Sequence, residues 1–324
     1  MVKNLITGIG GFVASHLADL LLEKGEQVFG TYRWTEDLNK IEHIKNKITL
    51  LPCDLLDLSS FIRAIREHKP DYIYHLAAQS YVSDSYTNPI VTIETNTIGT
   101  VNLLEAVRIV KEESPSYDPI VHICSTSEVY GMVKEEDLPI KETQELNPGN
   151  PYAVGKLGGD MAALVYWTNF KIKTIRTRAF THTGPRRTMM SAECNFAKQI
   201  ALIEKGKQES TINHGNLGSI RTWTDARDMA EAYYLLVRKC KPGEAYNICG
   251  DTIKSIGEML DCLISLSSMK DKIKKVQNPT LMRPNDVSLQ VADCSKFKNE
   301  TGWKPKITFE QTMRDLLDWW RQIT

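Results

Sequence analysis

The chain has 324 residues, of which 42% are hydrophobic and 25% are charged, a composition typical of soluble globular proteins with one large or two smaller domains. Its formal net charge is zero and no apolar run approaches the length of a membrane span, so we expect a cytoplasmic protein without a nucleic-acid or membrane partner. The seven cysteines are scattered and never spaced as CxxC, which predicts free thiols in a reducing compartment and no metal site.

The first half of the chain alternates between apolar strands and amphipathic helices. Strands are predicted at residues 2–7, 27–30, 48–51, 72–76, 119–124 and 174–180. Helices are predicted between them at residues 12–23, 59–68 and 89–110, and again from residue 151. This alternation predicts an α/β fold with a doubly wound parallel sheet of the Rossmann type, in which ligands bind beyond the carboxyl ends of the strands.

The second half is less regular. Helices are predicted at residues 195–205, 225–238, 256–266 and 308–321. We therefore expect a dinucleotide-binding Rossmann domain at residues 1–180, with later segments near 222–245 and 287–295 returning to it. A smaller C-terminal α/β substrate-binding domain is expected to occupy most of residues 181–324.

A glycine-rich turn lies between the first strand and the first helix. Its spacing is Gly8-x-x-Gly11-x-x-Ala14, with alanine in place of the third glycine. Glycines at such a turn let backbone N–H groups approach a pyrophosphate at the helix N-terminus, so the turn predicts a dinucleotide cofactor. The expected contacts are Gly8, Gly10, Gly11, Phe12 and Val13.

The ends of the next strands add to the predicted cofactor site. Arg33 follows the second strand, where an acid commonly meets the ribose of NAD; an arginine there favours the 2′-phosphate of NADP, although NAD stays possible. Asp54 follows the third strand and is placed to accept from the adenine amino group. The remaining predicted cofactor contacts are Leu55, Leu76, Ala77, Ala78, Tyr152 and Lys156.

Tyr152 and Lys156 are spaced so that both side chains lie on one face of a helix. There the ammonium is expected to sit beside the phenol and lower its pKa towards working pH. A second strand end, Ser125-Thr126-Ser127-Glu128-Val129-Tyr130-Gly131, precedes them. Together with the glycine turn, this order indicates removal of a hydride from a carbon that bears a hydroxyl, using a nicotinamide cofactor.

With these motifs the chain resembles the extended short-chain dehydrogenase/reductase family nearly from end to end. Within that family it is most similar to the GDP-mannose 4,6-dehydratases and the GDP-4-keto-6-deoxymannose reductases. The narrower resemblance rests on Leu76–Val82, Ser125–Glu128, His214–Leu217, Arg221–Trp223, Arg283-Pro284 and Gly302–Pro305.

The resemblance implies an NADP-dependent enzyme that converts GDP-mannose to its 4-keto-6-deoxy product. Tyr152, with Lys156, would take the proton of the sugar's 4-hydroxyl, and Thr126 would hydrogen-bond the same oxygen. Glu128 would remove the proton from C5, after which water leaves from C6. The family also implies a homodimer built through helices 89–110 and 151–170, and tetramers occur in it.

The same resemblance implies a set of substrate contacts. Arg221 and Arg283 match positions that clamp the pyrophosphate, and Lys198 is expected to assist. Thr181 stands where the family commonly has a substrate-binding asparagine. Ser80 and Asn195 complete the predicted set, and Arg186 and Arg187 are weaker candidates.

Other functions stay open at this stage. The short stretch before Arg283 resembles the reductases, which consume NADPH instead of regenerating it. The Ser125–Gly131 stretch also resembles UDP-glucuronate decarboxylases, and a UDP-sugar 4-epimerase is a related alternative. A catalytically silent NADP-binding regulator is disfavoured by the intact set Thr126, Glu128, Tyr152 and Lys156.

Overall fold

Parallel strands with helices on both faces form the larger part of the structure. The computed structural model describes residues 1–282 and 287–324. The strands are β1 (Lys3–Thr7), β2 (Gln27–Tyr32), β3 (Thr49–Pro52), β4 (Tyr72–His75), β5 (Ile120–Thr126), β6 (Lys173–Ala179), β7 (His182–Thr183), β8 (Thr211–His214), β9 (Ile220–Asp225), β10 (Ala245–Ile248), β11 (Thr252–Ser255), β12 (Lys274–Gln277) and β13 (Leu289–Gln290). The helices are α1 (Phe12–Glu23), α2 (Leu58–His68), α3 (Val82–Thr87), α4 (Pro89–Ile93), α5 (Gly99–Glu113), α6 (Pro151–Phe170), α7 (Ala192–Glu204), α8 (Ala226–Lys239), α9 (Ile256–Ser265), α10 (Ser295–Thr301) and α11 (Phe309–Ile323).

The main sheet has seven parallel strands in the order β10-β6-β5-β4-β1-β2-β3. One face is covered by α1, α8 and α10 through Leu17, Met229 and Phe297. The other is covered by α2, α5 and α6, whose contributions to a second core include Phe61 and Leu103. The predicted doubly wound Rossmann sheet is therefore confirmed. Its strand order reverses between β1 and β4, which is where such sheets bind ligands.

A buried ion-pair network anchors α6 to the sheet. Asp160 accepts from Arg176 Nη1 at 2.9 Å and from Arg178 Nε at 3.1 Å, and all three residues are buried. Burial of one of these charges without the others would be strongly unfavourable, so the network fixes the helix relative to β6. The helix that carries Tyr152 and Lys156 is held in place in this way.

Helix α6 also packs closely against the long helical segment before it. The single helix predicted at residues 89–110 is α4 and α5 joined by a π-helical turn, Glu94–Ile98. A Cβ added at Gly158 would lie closer than van der Waals contact to Thr97 Oγ1, and one at Gly159 would lie 2.8 Å from Thr100 Oγ1. These glycines therefore allow the two helical segments to approach each other.

The C-terminal half supplies a second, smaller layer. β9 pairs with β7, β11 and β13, and β8 pairs with β12. Helices α7, α9 and α11 enclose a separate core there. The segment near 222–245 is expected to return to the first half: residues 226–239 pack against α1, and the following strand β10 joins the main sheet. In the other such segment, near 287–295, β13 pairs with β9 of the smaller layer. Among the described residues, no helix is both long enough and apolar enough to cross a bilayer.

The cysteines differ from the expectation that all are free thiols. Cys249 and Cys294 form a disulfide, with 6.1 Å between their Cα atoms. Cys249 directly follows β10, and Cys294 is the N-cap of α10. The two residues are 45 positions apart in the chain, so their spacing gives no sign of the pairing that the fold creates.

Candidate active site

The turn after β1 has the features that a pyrophosphate requires. Gly11 is the N-cap of α1, no side chain caps that helix, and its first turn contains no acidic residue. Gly8 has φ +68°, and a Cβ there would lie 2.9 Å from Ala77 Cα. A Cβ at Gly10 would lie 2.8 Å from Glu36 Oε1. The uncapped amides and the positive end of the helix dipole therefore suit a dinucleotide phosphate.

Thr7 connects this turn to the end of β4. Its Oγ1 accepts hydrogen bonds from the backbone N–H groups of Leu76 and Ala77, both at 3.1 Å. Its hydroxyl also contacts His75 Nδ1 at 2.9 Å. The segment from Leu76 to Ala78 is half-buried, and its Ala77 lies against Gly8 of the glycine turn.

Arg33 is exposed in the loop that follows β2. The same loop brings Glu36 over the glycine turn, where the Glu36 carboxylate accepts from the backbone N–H of Arg33 at 3.3 Å. Burial raises the pKa of Glu36, although the neighbouring Arg33 backbone and charge act in the opposite direction. Sequence reasoning missed this acid, which lies close to both the glycine turn and the arginine predicted to select NADP.

The remaining predicted cofactor contacts lie at the edges of the crevice. Asp54 is exposed, and its Oδ1 accepts from the backbone N–H of Leu56 at 2.9 Å. Leu55 packs against α5, and a Cβ added at Gly99 of that helix would lie 2.8 Å from Leu55 Cβ. Val13 packs on the core beneath α1, so it contributes more to that core than to an open binding surface.

Tyr152 and Lys156 lie one turn apart in α6, near the end of β5. Burial raises the pKa of Tyr152, and the neighbouring Cys124 and Glu128 raise it further; a hydrogen bond with Thr126 and the charge of Arg187 lower it. Burial lowers the pKa of Lys156. The protein alone therefore does not show the expected net lowering of the Tyr152 pKa, because desolvation outweighs the hydrogen bond with Thr126 and the charge of Arg187.

Glu128 is held by two carboxamides at the end of β5. Its Oε2 accepts from Asn150 Nδ2 at 3.1 Å, and its Oε1 accepts from Gln290 Nε2 at 2.9 Å. Thr126 caps the short turn that carries Glu128, accepting its backbone N–H at 3.3 Å. The four residues Thr126, Glu128, Tyr152 and Lys156 are thus brought to one end of the sheet. Asn150 and Gln290 were not predicted from the sequence.

Arg187 borders the same site, although the sequence placed it among the weaker candidates. Its guanidinium lies 5.3 Å from the Phe12 ring centre and pairs with Glu193 at 2.6 Å. Phe12 stacks on His182 with 6.1 Å between ring centres. Because its charge also acts on Tyr152, Arg187 lies between the start of α1 and the end of α6 that carries Tyr152. Arg186, by contrast, pairs with Asp19 at 2.7 Å.

The predicted substrate contacts are more dispersed. Ser80 is exposed after β4, and Thr181 is half-buried after β6. In α7, Asn195 Oδ1 accepts from Gln199 at 2.5 Å, while Lys198 Nζ lies 2.7 Å from Met189 Sδ. Arg221 Nη1 donates to the carbonyl of Ile220 at 3.0 Å. The remaining prediction, Arg283, lies outside the described residues.

Comparison with known proteins gives one consistent family. The family described as GDP-mannose 4,6 dehydratase matches residues 5–316. A GDP-mannose 4,6-dehydratase of Yersinia enterocolitica is 32% identical, with 98% of this chain and 93% of the relative covered. A GDP-6-deoxy-D-mannose reductase of Pseudomonas aeruginosa is 30% identical, with 98% and 97% covered.

Solved structures agree with this result over the whole chain. RMD from Pseudomonas aeruginosa, complexed with NADPH, has a TM-score of 0.83 and 28% identity, with 100% of both chains covered. UDP-glucose 4-epimerase of Thermus thermophilus, in complex with NAD, has a TM-score of 0.86 and 26% identity, again with 100% of both chains covered. These are extended short-chain dehydrogenase/reductase enzymes, and this chain belongs to the GDP-mannose 4,6 dehydratase family among them.

Proposed function

We propose that this protein removes water from GDP-mannose and forms GDP-4-keto-6-deoxymannose, with NADP as its bound cofactor. The observation that carries the proposal is the position of Glu128, close enough to Tyr152 for its charge to raise the pKa of that phenol. Transient oxidation at C4 requires Tyr152 alone, whereas elimination of water across C5 and C6 requires a second base beside it.

The crevice residues support the cofactor assignment. The uncapped N-terminus of α1 and Gly8, Gly10 and Gly11 suit the pyrophosphate, and Arg33 suits a 2′-phosphate. When bound, the nicotinamide would supply the acceptor for the C4 hydride and the donor for its return to C6. Its positive charge in the oxidised form would also favour ionisation of Tyr152.

The protein's own groups would then move the protons. Tyr152, as tyrosinate, takes the proton of the 4-hydroxyl while Thr126 hydrogen-bonds that oxygen, and the Lys156 ammonium, one turn along α6, would favour the ionised phenol by its charge. Glu128 takes the C5 proton, which the adjacent C4 ketone has made acidic. That proton leaves with the C6 hydroxyl as water, and the proton held by Tyr152 returns to C5 when hydride reaches C6.

The test is incubation of the protein with GDP-mannose and a catalytic amount of NADP⁺, followed by mass spectrometry. Loss of one water without net consumption of cofactor is expected. Unchanged GDP-mannose together with stoichiometric NADPH oxidation on the 4-keto sugar would replace the proposal by the reductase function. Turnover of UDP sugars alone would replace it by epimerase or decarboxylase chemistry.

We further propose a homodimer formed through the helical segment 89–113 and α6. Both elements expose large apolar side chains: Ile90 is 78% exposed and Val91 56% in α4, while Val165 and Phe170 are 48% and 46% exposed in α6. Sedimentation should give twice the chain mass, and Val165→Asp should give monomers. A tetramer would mean that an additional surface takes part. The cytoplasmic location inferred from the sequence stays a prediction.

A further inference from the structure

The carboxylate of Glu128 is held from both halves of the molecule. Asn150, at the start of α6, donates to one oxygen at 3.1 Å, and Gln290, in β13, donates to the other at 2.9 Å. We propose that Gln290 is a positioning residue that orients Glu128 for proton transfer at C5 of the sugar. This inference rests on the proposed dehydratase function, because that function makes Glu128 a base.

Gln290 is itself firmly placed. It is 2% exposed, and β13 pairs with β9 so that Gln290 lies opposite Arg221. Its carbonyl oxygen accepts from Thr222 Oγ1 at 3.2 Å. Ile140 N–H donates to the carbonyl of the next residue, Val291, at 2.8 Å. With its backbone bound on both sides, Gln290 presents its amide to Glu128 from a fixed point.

Asn150 performs two roles with one side chain. Its Oδ1 accepts from the backbone N–H of Ala153 at 2.8 Å and so caps α6, while its Nδ2 donates to Glu128. The base and the helix that carries Tyr152 are therefore fixed relative to each other. Gln290 adds a second point of attachment from the strand that pairs with the predicted pyrophosphate ligand Arg221.

Two neutral donors suit a carboxylate that must accept a proton. An ionised carboxylate has about four lone-pair positions, so one N–H on each oxygen leaves others available. Fixing both oxygens prevents rotation of the group, and a displacement of about 1 Å in a reacting group can cost on the order of a hundredfold in rate. Gln290 therefore contributes to the rate of C5 proton removal without contacting the sugar.

The decisive experiment is steady-state and single-turnover kinetics of Gln290→Met, which keeps an unbranched side chain but removes the donor. We expect kcat to fall about 10- to 100-fold, with KM for GDP-mannose changing by less than roughly threefold. Because C4 oxidation precedes the slowed step, reduced cofactor should accumulate on the enzyme and be visible at 340 nm. The isotope effect on kcat, measured with GDP-mannose deuterated at C4, should decrease because hydride transfer from C4 would no longer limit the rate.

Three further variants separate positioning from a structural effect. Gln208→Met removes a carboxamide that donates to the Thr211 carbonyl at 2.9 Å, away from Glu128, and should leave the kinetics unchanged. Asn150→Ser retains a helix cap but removes the donor to Glu128, so it should reproduce the accumulation even if Gln290→Met folds poorly. In a Glu128→Gln background, Gln290→Met should add little further loss.

The outcomes distinguish this inference from the proposed function. Wild-type protein that fails to dehydrate GDP-mannose would overturn both. With an active wild type, unchanged kcat in Gln290→Met would overturn the inference alone. A fall in kcat without accumulation of reduced cofactor, and with an undiminished isotope effect of C4 deuteration, would also overturn the inference. The loss would then lie in hydride transfer or in folding.

Discussion

The guanidinium of Arg187 lies 5.3 Å from the centre of the Phe12 ring, so a residue of the C-terminal half contacts the helix that begins at the glycine turn. Its partner Glu193 is buried, and the ion pair between them, at 2.6 Å, fixes the direction of the Arg187 side chain. From this position the positive charge of Arg187 lowers the pKa of Tyr152, against the larger effect of burial.

Arg187→Met should therefore move the pH dependence of C4 oxidation. The tyrosinate form of Tyr152 takes the proton, so the rate increases with pH as Tyr152 ionises. Removing a positive charge disfavours that ionisation, so the rising limb of the pH profile should shift to higher pH. The measurement is the single-turnover rate of cofactor reduction at a series of pH values.

Arg186→Met is the matched control, because the Arg186 side chain pairs with Asp19 on α1 and is not among the main charges that act on Tyr152. Its profile should equal that of the wild type. Arg187→Met leaves the buried Glu193 carboxylate without its partner, and the double variant Arg187→Met/Glu193→Gln removes that charge. It should show the same shift of the pH profile. A normal profile in that double variant would show that the charge of Arg187 does not act on Tyr152.

The two proposed proton acceptors should fail at different stages. Tyr152→Phe lacks the phenol that takes the 4-hydroxyl proton, so no cofactor reduction is expected on addition of GDP-mannose, while cofactor affinity stays near that of the wild type. Glu128→Gln should still reduce the cofactor at C4 but release no water. Stopped-flow absorbance at 340 nm and mass spectrometry of the sugar measure the two steps. Dehydration by Glu128→Gln at the wild-type rate would remove Glu128 from the mechanism.

Local sequence patterns predicted the sheet and the positions of Thr126, Glu128, Tyr152 and Lys156 relative to it, because each lies at the end of a strand or within one helical turn. The groups around them were harder to predict. Gln290 and Glu128 are 162 positions apart, and no motif surrounds Gln290. Asn150 did carry a signal, since an asparagine before a proline at the first helical position is a common helix cap.

The pKa of Tyr152 shows why electrostatics was predicted less well than geometry. The four-residue spacing correctly placed Lys156 on the helix face of Tyr152, but spacing gives no measure of desolvation. In the fold, burial raises the pKa of Tyr152 and lowers that of Lys156. The balance between burial and charge depends on the packing of many distant residues, which the pattern of a single helix does not contain.

Arg33 and Glu36, both in the connection between β2 and β3, should affect the choice of cofactor in opposite directions. Arg33→Ala removes a cation predicted to meet a 2′-phosphate, so the Kd for NADP should rise about tenfold or more while that for NAD changes little. Glu36→Gln removes a carboxylate beside the glycine turn and should tighten binding of NADP more than that of NAD. Calorimetric titration with both cofactors measures each change.

A matched control for these variants is Asp37→Asn, an exposed neighbour whose Oδ1 caps the backbone N–H of Asn39 at 2.9 Å. It should leave the ratio of the two Kd values unchanged. Equal losses of NADP and NAD in Arg33→Ala would show that Arg33 does not recognise the 2′-phosphate. A Glu36→Gln variant that binds both cofactors as the wild type does would place the carboxylate away from the bound phosphates.

Buried histidines should make the fold less stable in mild acid. Burial, with a smaller effect from the Lys156 charge, lowers the pKa of both His75 and His122 to about 3. In the unfolded chain a histidine has a pKa of about 6.5, so between those values the unfolded state binds more protons and the free energy of unfolding falls as pH falls. From pH 7 to pH 5.5 each such histidine should cost about 1 kcal/mol.

Urea unfolding at the two pH values measures this loss, and His122→Gln provides the comparison. The His122 ring contacts Thr177 Oγ1 at 2.8 Å, and a glutamine can retain a polar contact there without titrating. The variant should be less stable at pH 7 but should lose about 1 kcal/mol less than the wild type on acidification. If both proteins lose the same free energy, the pKa of His122 in the fold is close to its unfolded value, and burial does not hold the ring neutral.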